Sequence, residues 1–228
     1  MVMVLACCAL GAQAKTFAVC VGISDYPGTA NDLHVSAGDA VAVSNLFASN
    51  GNCRVSILTN SKATGNRVCE LMEQTYRAAG ANDVVVLFFS GHGYPGGLYC
   101  YDGQLSYDRI INVMKKSKAK SKVIMADACY SGRMRDDSNQ SLNSKNVLLF
   151  LSSRSNETSL EMGGMKNSLF TYYLVQGLKG KADYSRDRTV TAKELFKYVH
   201  TKVVSDSRQH QHPVMWGRFD DNLPLIRW

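Results

Sequence analysis

Two apolar runs of the same build each end in a residue that can do chemistry. Asp83-Val-Val-Val-Leu-Phe-Phe is followed by Ser90-Gly91-His92-Gly93, and Val123-Ile-Met-Ala is followed by Asp127-Ala128-Cys129-Tyr130-Ser131-Gly132. An imidazole and a thiol are the two halves of a nucleophile–base pair. The base helps form the thiolate, the thiolate attacks a carbonyl carbon, and the protonated base then supplies the leaving group with its proton. Each half alone is commonplace, because a cysteine after an apolar strand is often a packing residue and Gly-His-Gly is an ordinary tight turn. Together they define acyl-transfer chemistry, provided that the fold brings both ends to one place.

An apolar run with no polar face reads as a parallel strand buried on both sides, and such strands present functional groups at their carboxyl edge. The remainder of the chain supplies the required neighbours. Thr16 to Ile23 reads as a first strand closed by the turn cluster Ser24 to Gly28, and Cys53 to Leu58 as a second. Asp83 to Phe89, Val123 to Met125 and Val147 to Leu151 follow as strands. Helices are expected at Asp39 to Ser49, Asn66 to Ala79, Tyr107 to Met114 behind a Ser106 cap, and Ser168 to Leu178. Thr191-Ala-Lys-Glu194 is a capping box that opens a last helix running to about Val204. This alternation predicts a three-layer α/β/α sandwich with a mostly parallel sheet. The polar stretch 133–146 reads as a surface loop.

Gly91-His-Gly93-Tyr-Pro-Gly96 matches the dinucleotide pattern GxGxxG, yet Pro95 and Gly96-Gly97 lead into a hairpin over Leu98 to Gly103. With no helix N-terminus to receive a pyrophosphate, a nucleotide site is not expected. His200, His210 and His212 lack acidic or cysteine partners at ligand spacing, so they are assigned no metal.

Composition bounds the remainder. A chain of 228 residues with 45% hydrophobic content is one ordinary domain. The net charge of +7 admits an anionic partner, but the densest basic patch, Lys115 to Lys122, has no interleaved aromatic residues and reads as solvated lysines behind a helix. No nucleic-acid partner is expected. Residues 1–14, apolar and ending Ala12-Gln13-Ala14, read as a signal peptide cleaved after Ala14, leaving a domain over 15–228 and an exported, periplasmic or secreted product. Lys15 arrives too soon for a membrane span. Cys20, Cys53, Cys69, Cys100 and Cys129 remain beyond that cleavage without a CxxC pair, which argues against a zinc knuckle or a disulfide framework and leaves a thiol free.

The Ser90-Gly-His-Gly93 and Asp127-Ala-Cys-Tyr-Ser-Gly132 motifs, in that order, resemble those of the caspase and metacaspase family of cysteine proteases, and the similarity extends from about Thr16 to the C-terminus. Tyr130 stands where metacaspases usually have a histidine. The resemblance implies a caspase-like fold and an endopeptidase using His92 and Cys129, with the Gly93 and Cys129 amides as oxyanion donors and a backbone carbonyl orienting the histidine. Ser36-Ala-Gly-Asp39 resembles the segment that supplies a second acidic pocket residue, and Asp127 would project from the same side of its strand as Cys129. The resemblance therefore implies a pocket of Asp39, Asp127 and Ser90 for Arg or Lys, and hence peptide or protein substrates with basic residues. Taken alone, Asp39 also reads as a helix N-terminal carboxylate and Asp127 as a hydrogen-bonded strand end. Calcium, required by some metacaspases, is not expected, because only Asp102 and Asp108 lie between His92 and the Asp127-Ala-Cys129 motif and calcium takes six or more oxygens; no other cofactor is implied. Self-cleavage in the 133–146 loop is a further expectation. The alternative is a catalytically silent binding or adaptor domain of the same fold.

Overall fold

The computed structural model describes residues 13–128, 146–153 and 164–228. Most of the expected signal peptide, Cys129 and nearly all of the stretch 133–146 expected as a loop lie outside the described residues. In chain order the elements are β1 (Thr16–Gly22), α1 (Ser36–Ala48), β2 (Cys53–Thr59), α2 (Gly65–Tyr76), β3 (Val84–Gly91), β4 (Gly93–Tyr94), β5 (Gly97–Cys100), β6 (Gly103–Ser106), α3 (Tyr107–Lys115), β7 (Ser121–Ala128) and β8 (Val147–Leu151). They continue as α4 (Leu169–Gln176), β9 (Thr189–Thr191), α5 (Ala192–Asp206), β10 (Val214–Arg218) and β11 (Pro224–Arg227).

The main sheet has the order β10-β8-β7-β3-β1-β2. All its pairings are parallel except that of β10 with β8. Strands β1, β3 and β8 are buried at every position, which is why their sequences carry no alternation: both faces are covered. Phe17, Val19, Val85, Leu87 and Ile124 face one layer, where they meet Val68 and Met72 of α2 and Ile110 and Met114 of α3. Ala18, Cys20, Phe88 and Met125 face the other, against Val43 and Phe47 of α1, Phe170 and Leu174 of α4, and Leu195 and Val199 of α5. The structure is therefore the expected three-layer sandwich.

Boundaries shift where long-range contacts outweigh local signals. α1 begins at Ser36, three residues before the expected start, with no side-chain cap. α2 spans Gly65–Tyr76, capped by Thr64. β7 extends well beyond Val123 to Met125 on both sides because it pairs along its length with β3. The expected Leu98 to Gly103 hairpin is part of a three-stranded antiparallel sheet, β4-β5-β6. Strands β9, β10 and β11 have no counterpart in the sequence reading. They are short, and what makes them strands is pairing with distant partners: β10 lies on β8 and β11 on β9.

Candidate active site

His92 follows the last residue of β3, and three contacts hold it. Its N–H donates to the Tyr26 hydroxyl at 2.9 Å, and that hydroxyl in turn donates to the Tyr99 carbonyl at 3.1 Å. The Tyr26 and imidazole rings pack at 4.8 Å between centroids. Burial pushes the Tyr26 hydroxyl above its usual range, so it keeps the proton it donates. Imidazole Nε2 lies 2.8 Å from the Asn31 carbonyl. A carbonyl only accepts, so Nε2 carries the hydrogen and Nδ1 of the neutral ring holds the lone pair. Gly91 admits this arrangement, because a Cβ there would come within 2.6 Å of the Tyr26 hydroxyl. A backbone carbonyl against the histidine fits what the family resemblance implies. The spacing of Tyr26 and Asn31 in the sequence carries no sign of either role, since both sit in the turn region after β1 and meet His92 only in three dimensions.

The carboxylates collect beside the same strand end. Gly22, Ser90 and Asp127 are lateral partners across β1, β3 and β7, so Ser90 and Asp127 point to one face of the sheet, the face that α1 and α4 cover. Asp39, in the first turn of α1, accepts hydrogen bonds from Ser90 Oγ at 2.9 Å, Asn167 Nδ2 at 2.9 Å and the Ser168 N–H at 3.1 Å. Asp127 accepts from Thr171 Oγ1 at 2.7 Å and from Ser168 Oγ. Ser168 also caps α4 by accepting the Thr171 N–H at 3.1 Å. Asp39, Ser90 and Asp127 are all buried. Burial, and then the neighbouring Asp127 charge, raise Asp39 to about 7, against which its neutral hydrogen-bond donors act only in part. Asn167, Ser168 and Thr171 were not singled out by sequence reasoning for this cluster. Ser168 is visible there only as the start of a helix.

The structure thus brings Asp39, Ser90 and Asp127 into one cluster at the edge that also carries His92. Gly93 is half-buried at the start of β4, opposite Leu98. Cys129 follows Ala128, the end of β7, and lies outside the described residues. The four described cysteines, Cys20, Cys53, Cys69 and Cys100, are free, and burial pushes all of them up, Cys53 to about 11 and Cys100 to about 12. Thiols held that high stay protonated near neutrality and make poor nucleophiles. Among the described residues no group of three or more His, Cys, Asp or Glu gathers as a metal cluster. Asp102 Oδ1 accepts the Gly65 N–H at 2.7 Å, at the start of α2. No described helix is long and apolar enough to cross a membrane. The GxGxxG stretch leads into β4 and β5.

No curated protein matches the sequence. Solved structures do. A protein from Geobacter sulfurreducens superposes with a TM-score of 0.68 at 18% identity, covering 93% of this chain and 97% of that one. Caspase-1 from Spodoptera frugiperda superposes with a TM-score of 0.68 at 16% identity, covering 92% and 89%. At such identities the likeness is one of fold, and it agrees with the sheet order and layering above. The family model of the caspase domain matches residues 15–223, nearly the whole chain, and the protein therefore belongs to the caspase-domain family of cysteine peptidases, which act on proteins.

Proposed function

We propose that the chain is a cysteine endopeptidase that cleaves after Arg or Lys. The Cys129 thiol gives its proton to Nδ1 of His92, and the thiolate attacks the scissile carbonyl carbon. The resulting oxyanion takes hydrogen bonds from the Gly93 and Cys129 N–H groups. Collapse breaks the C–N bond as the imidazolium hands its proton to the departing amine, and water then hydrolyses the thioester with His92 as base. The contacts to Tyr26 and Asn31 support this reading because they set the ring and its tautomer before substrate arrives.

The observation that carries the specificity is the buried pair Asp39 and Asp127, joined through Ser168, with Ser90 donating to Asp39, at the edge that bears His92. Two carboxylates in one desolvated cluster repel each other, and a substrate guanidinium or ammonium offsets both that repulsion and the lost hydration. The test uses fluorogenic peptides matched except at the residue before the scissile bond. Arg and Lys are expected to be turned over at least about thirtyfold faster than Asp, the lower end of the roughly 2–5 kcal/mol lost when one partner of a desolvated charge pair is removed. His92→Ala and Cys129→Ala are expected to abolish turnover, and a thiol-reactive arginyl probe should label wild type only. Turnover by purified Cys129→Ala would overturn the mechanism, and a preference for Asp would overturn the pocket. The silent-adaptor alternative, which requires an unlabelled Cys129, draws no support from the described residues.

The same specificity extends to the chain itself. Arg133, Arg135 and Lys145 are basic residues close in sequence to Cys129, and self-cleavage after one of them follows from the proposed pocket. Mass spectrometry of wild type beside Cys129→Ala reads it directly, as a nick in wild type alone.

A further inference from the structure

A cleft on the other side of His92 has had no role so far. It encloses about 640 Å³, and Tyr26, Pro27, His92, Tyr99, Tyr101 and Asp102 form much of its wall. That volume lies within the range of roughly 300–1,000 Å³ usual for ligand sites. Tyr26 and Cys100, both in the cleft lining, belong to the core shared with α2 and α3, whereas Asp39, Ser90 and Asp127 sit on the face covered by α1 and α4. His92 stands between the two.

An imidazole that protonates the leaving amine must lie beside that amine. The two halves of a substrate therefore part at His92. With the residue before the scissile bond in the carboxylate cluster, the residues after it run into the cleft. The cleft walls suit a cation. Tyr26, Tyr99 and Tyr101 contribute aromatic rings, and Asp102 is an exposed carboxylate with one oxygen engaged by the Gly65 N–H. Neither Lys nor Arg is among the described residues lining it, and the Arg109 guanidinium is engaged with Asn66 at 2.6 Å. Tyr99 is set in advance, packed on the Tyr94 ring at 5.1 Å and accepting a hydrogen bond from Gln104 at 3.2 Å.

We infer that this cleft is a leaving-group subsite for a cationic side chain, Arg above Lys, in the residues directly following the scissile bond. Tyrosine faces hold the planar guanidinium and Asp102 pairs with it. The inference rests on the peptidase reading for its orientation, but binding at the cleft can be measured without turnover.

Two experiments decide it. Internally quenched peptides share Arg before the scissile bond and carry Arg, Lys, Ala or Asp after it. The Arg-to-Asp ratio of kcat/KM is expected to be about tenfold, with the Asp102 charge attracting Arg and repelling Asp beside the tyrosine faces, and to fall severalfold in Asp102→Asn, whose amide oxygen still accepts the Gly65 N–H. Separately, Arg-Ala-Gly-amide and Asp-Ala-Gly-amide, both with free amino termini, are titrated into the full-length Cys129→Ala protein and followed by tyrosine and histidine NMR signals. Tighter binding of the Arg peptide, weakened when Asp102→Asn is added, supports the subsite even where no substrate is hydrolysed, in which case the peptidase reading alone falls. Equal binding of the two peptides, or an Arg preference undiminished in Asp102→Asn, overturns the subsite even where hydrolysis is rapid.

Discussion

Asp39 lies in the first turn of α1, where the helix dipole favours a carboxylate by roughly 0.3–1 kcal/mol. Burial and the adjacent Asp127 oppose that and win, holding the group at about 7. The consequence for stability has a definite sign. Below about pH 4 the folded and unfolded chains both hold the proton; between 4 and 7 the unfolded chain has lost it while the folded chain keeps it; above 7 both are ionised. Stability from this group is thus full at low pH and declines as pH rises through that window, by roughly 4 kcal/mol at about 1.4 kcal/mol per pKa unit. Urea denaturation of wild type and Asp39→Asn between pH 4.5 and 7.5 isolates the Asp39–Asp127 pair, because carboxylates away from it cancel in the difference. Wild type is expected to lose stability relative to the variant as pH rises. A constant difference would mean that Asp39 titrates normally.

At the scale of elements, the site depends on how closely α1 approaches β1. Gly22 ends β1, and a Cβ there would sit 2.3 Å from the Ser36 carbonyl oxygen and 2.6 Å from Ala40 Cβ, at the start of α1. Backbone and a methyl at such distances have no flexible end to swing aside, so a larger residue must push α1 outward. That movement would carry Asp39 away from Ser90, the lateral partner of Gly22. Gly22→Ala is expected to cost roughly 1–3 kcal/mol, the usual penalty of overpacking, read as a lower urea midpoint. It should also reduce the preference for Arg substrates more than Gly51→Ala, where nothing lies within 4 Å of the added Cβ.

For the molecule as a whole, β7 and β8 are parallel neighbours in the main sheet, although the polar segment between them carries Arg133, Arg135 and Lys145. A cut there leaves β1 to β7 on one fragment and β8 to β11 on the other. The layer holding Phe88 and Met125 also contains Phe150, Phe170 and Leu174, so the fragments bury apolar surface against each other. Nicked protein is expected to elute from gel filtration as one species of the intact size and to separate only in denaturant. Dissociation in native buffer would show that the covalent link carries part of the stability.

What could be read along the chain was whatever depends on local pattern. Apolar runs without alternation marked β1, β3, β7 and β8 as strands buried on both faces, the Thr191 to Glu194 capping box marked the start of α5, and the motif around His92 marked the sheet edge. Asp39, Ser90 and Asp127 were named from the sequence with the family resemblance as guide, and the fold places them together. Only the tertiary structure decided which groups bind them. Tyr26, Asn31, Asn167 and Ser168 are distant in sequence from the residues they contact and of types common in turns and caps, so no periodicity distinguishes them. β9, β10 and β11 escaped for the same reason, because a short strand is defined by the partner it pairs with, and that partner lies far along the chain.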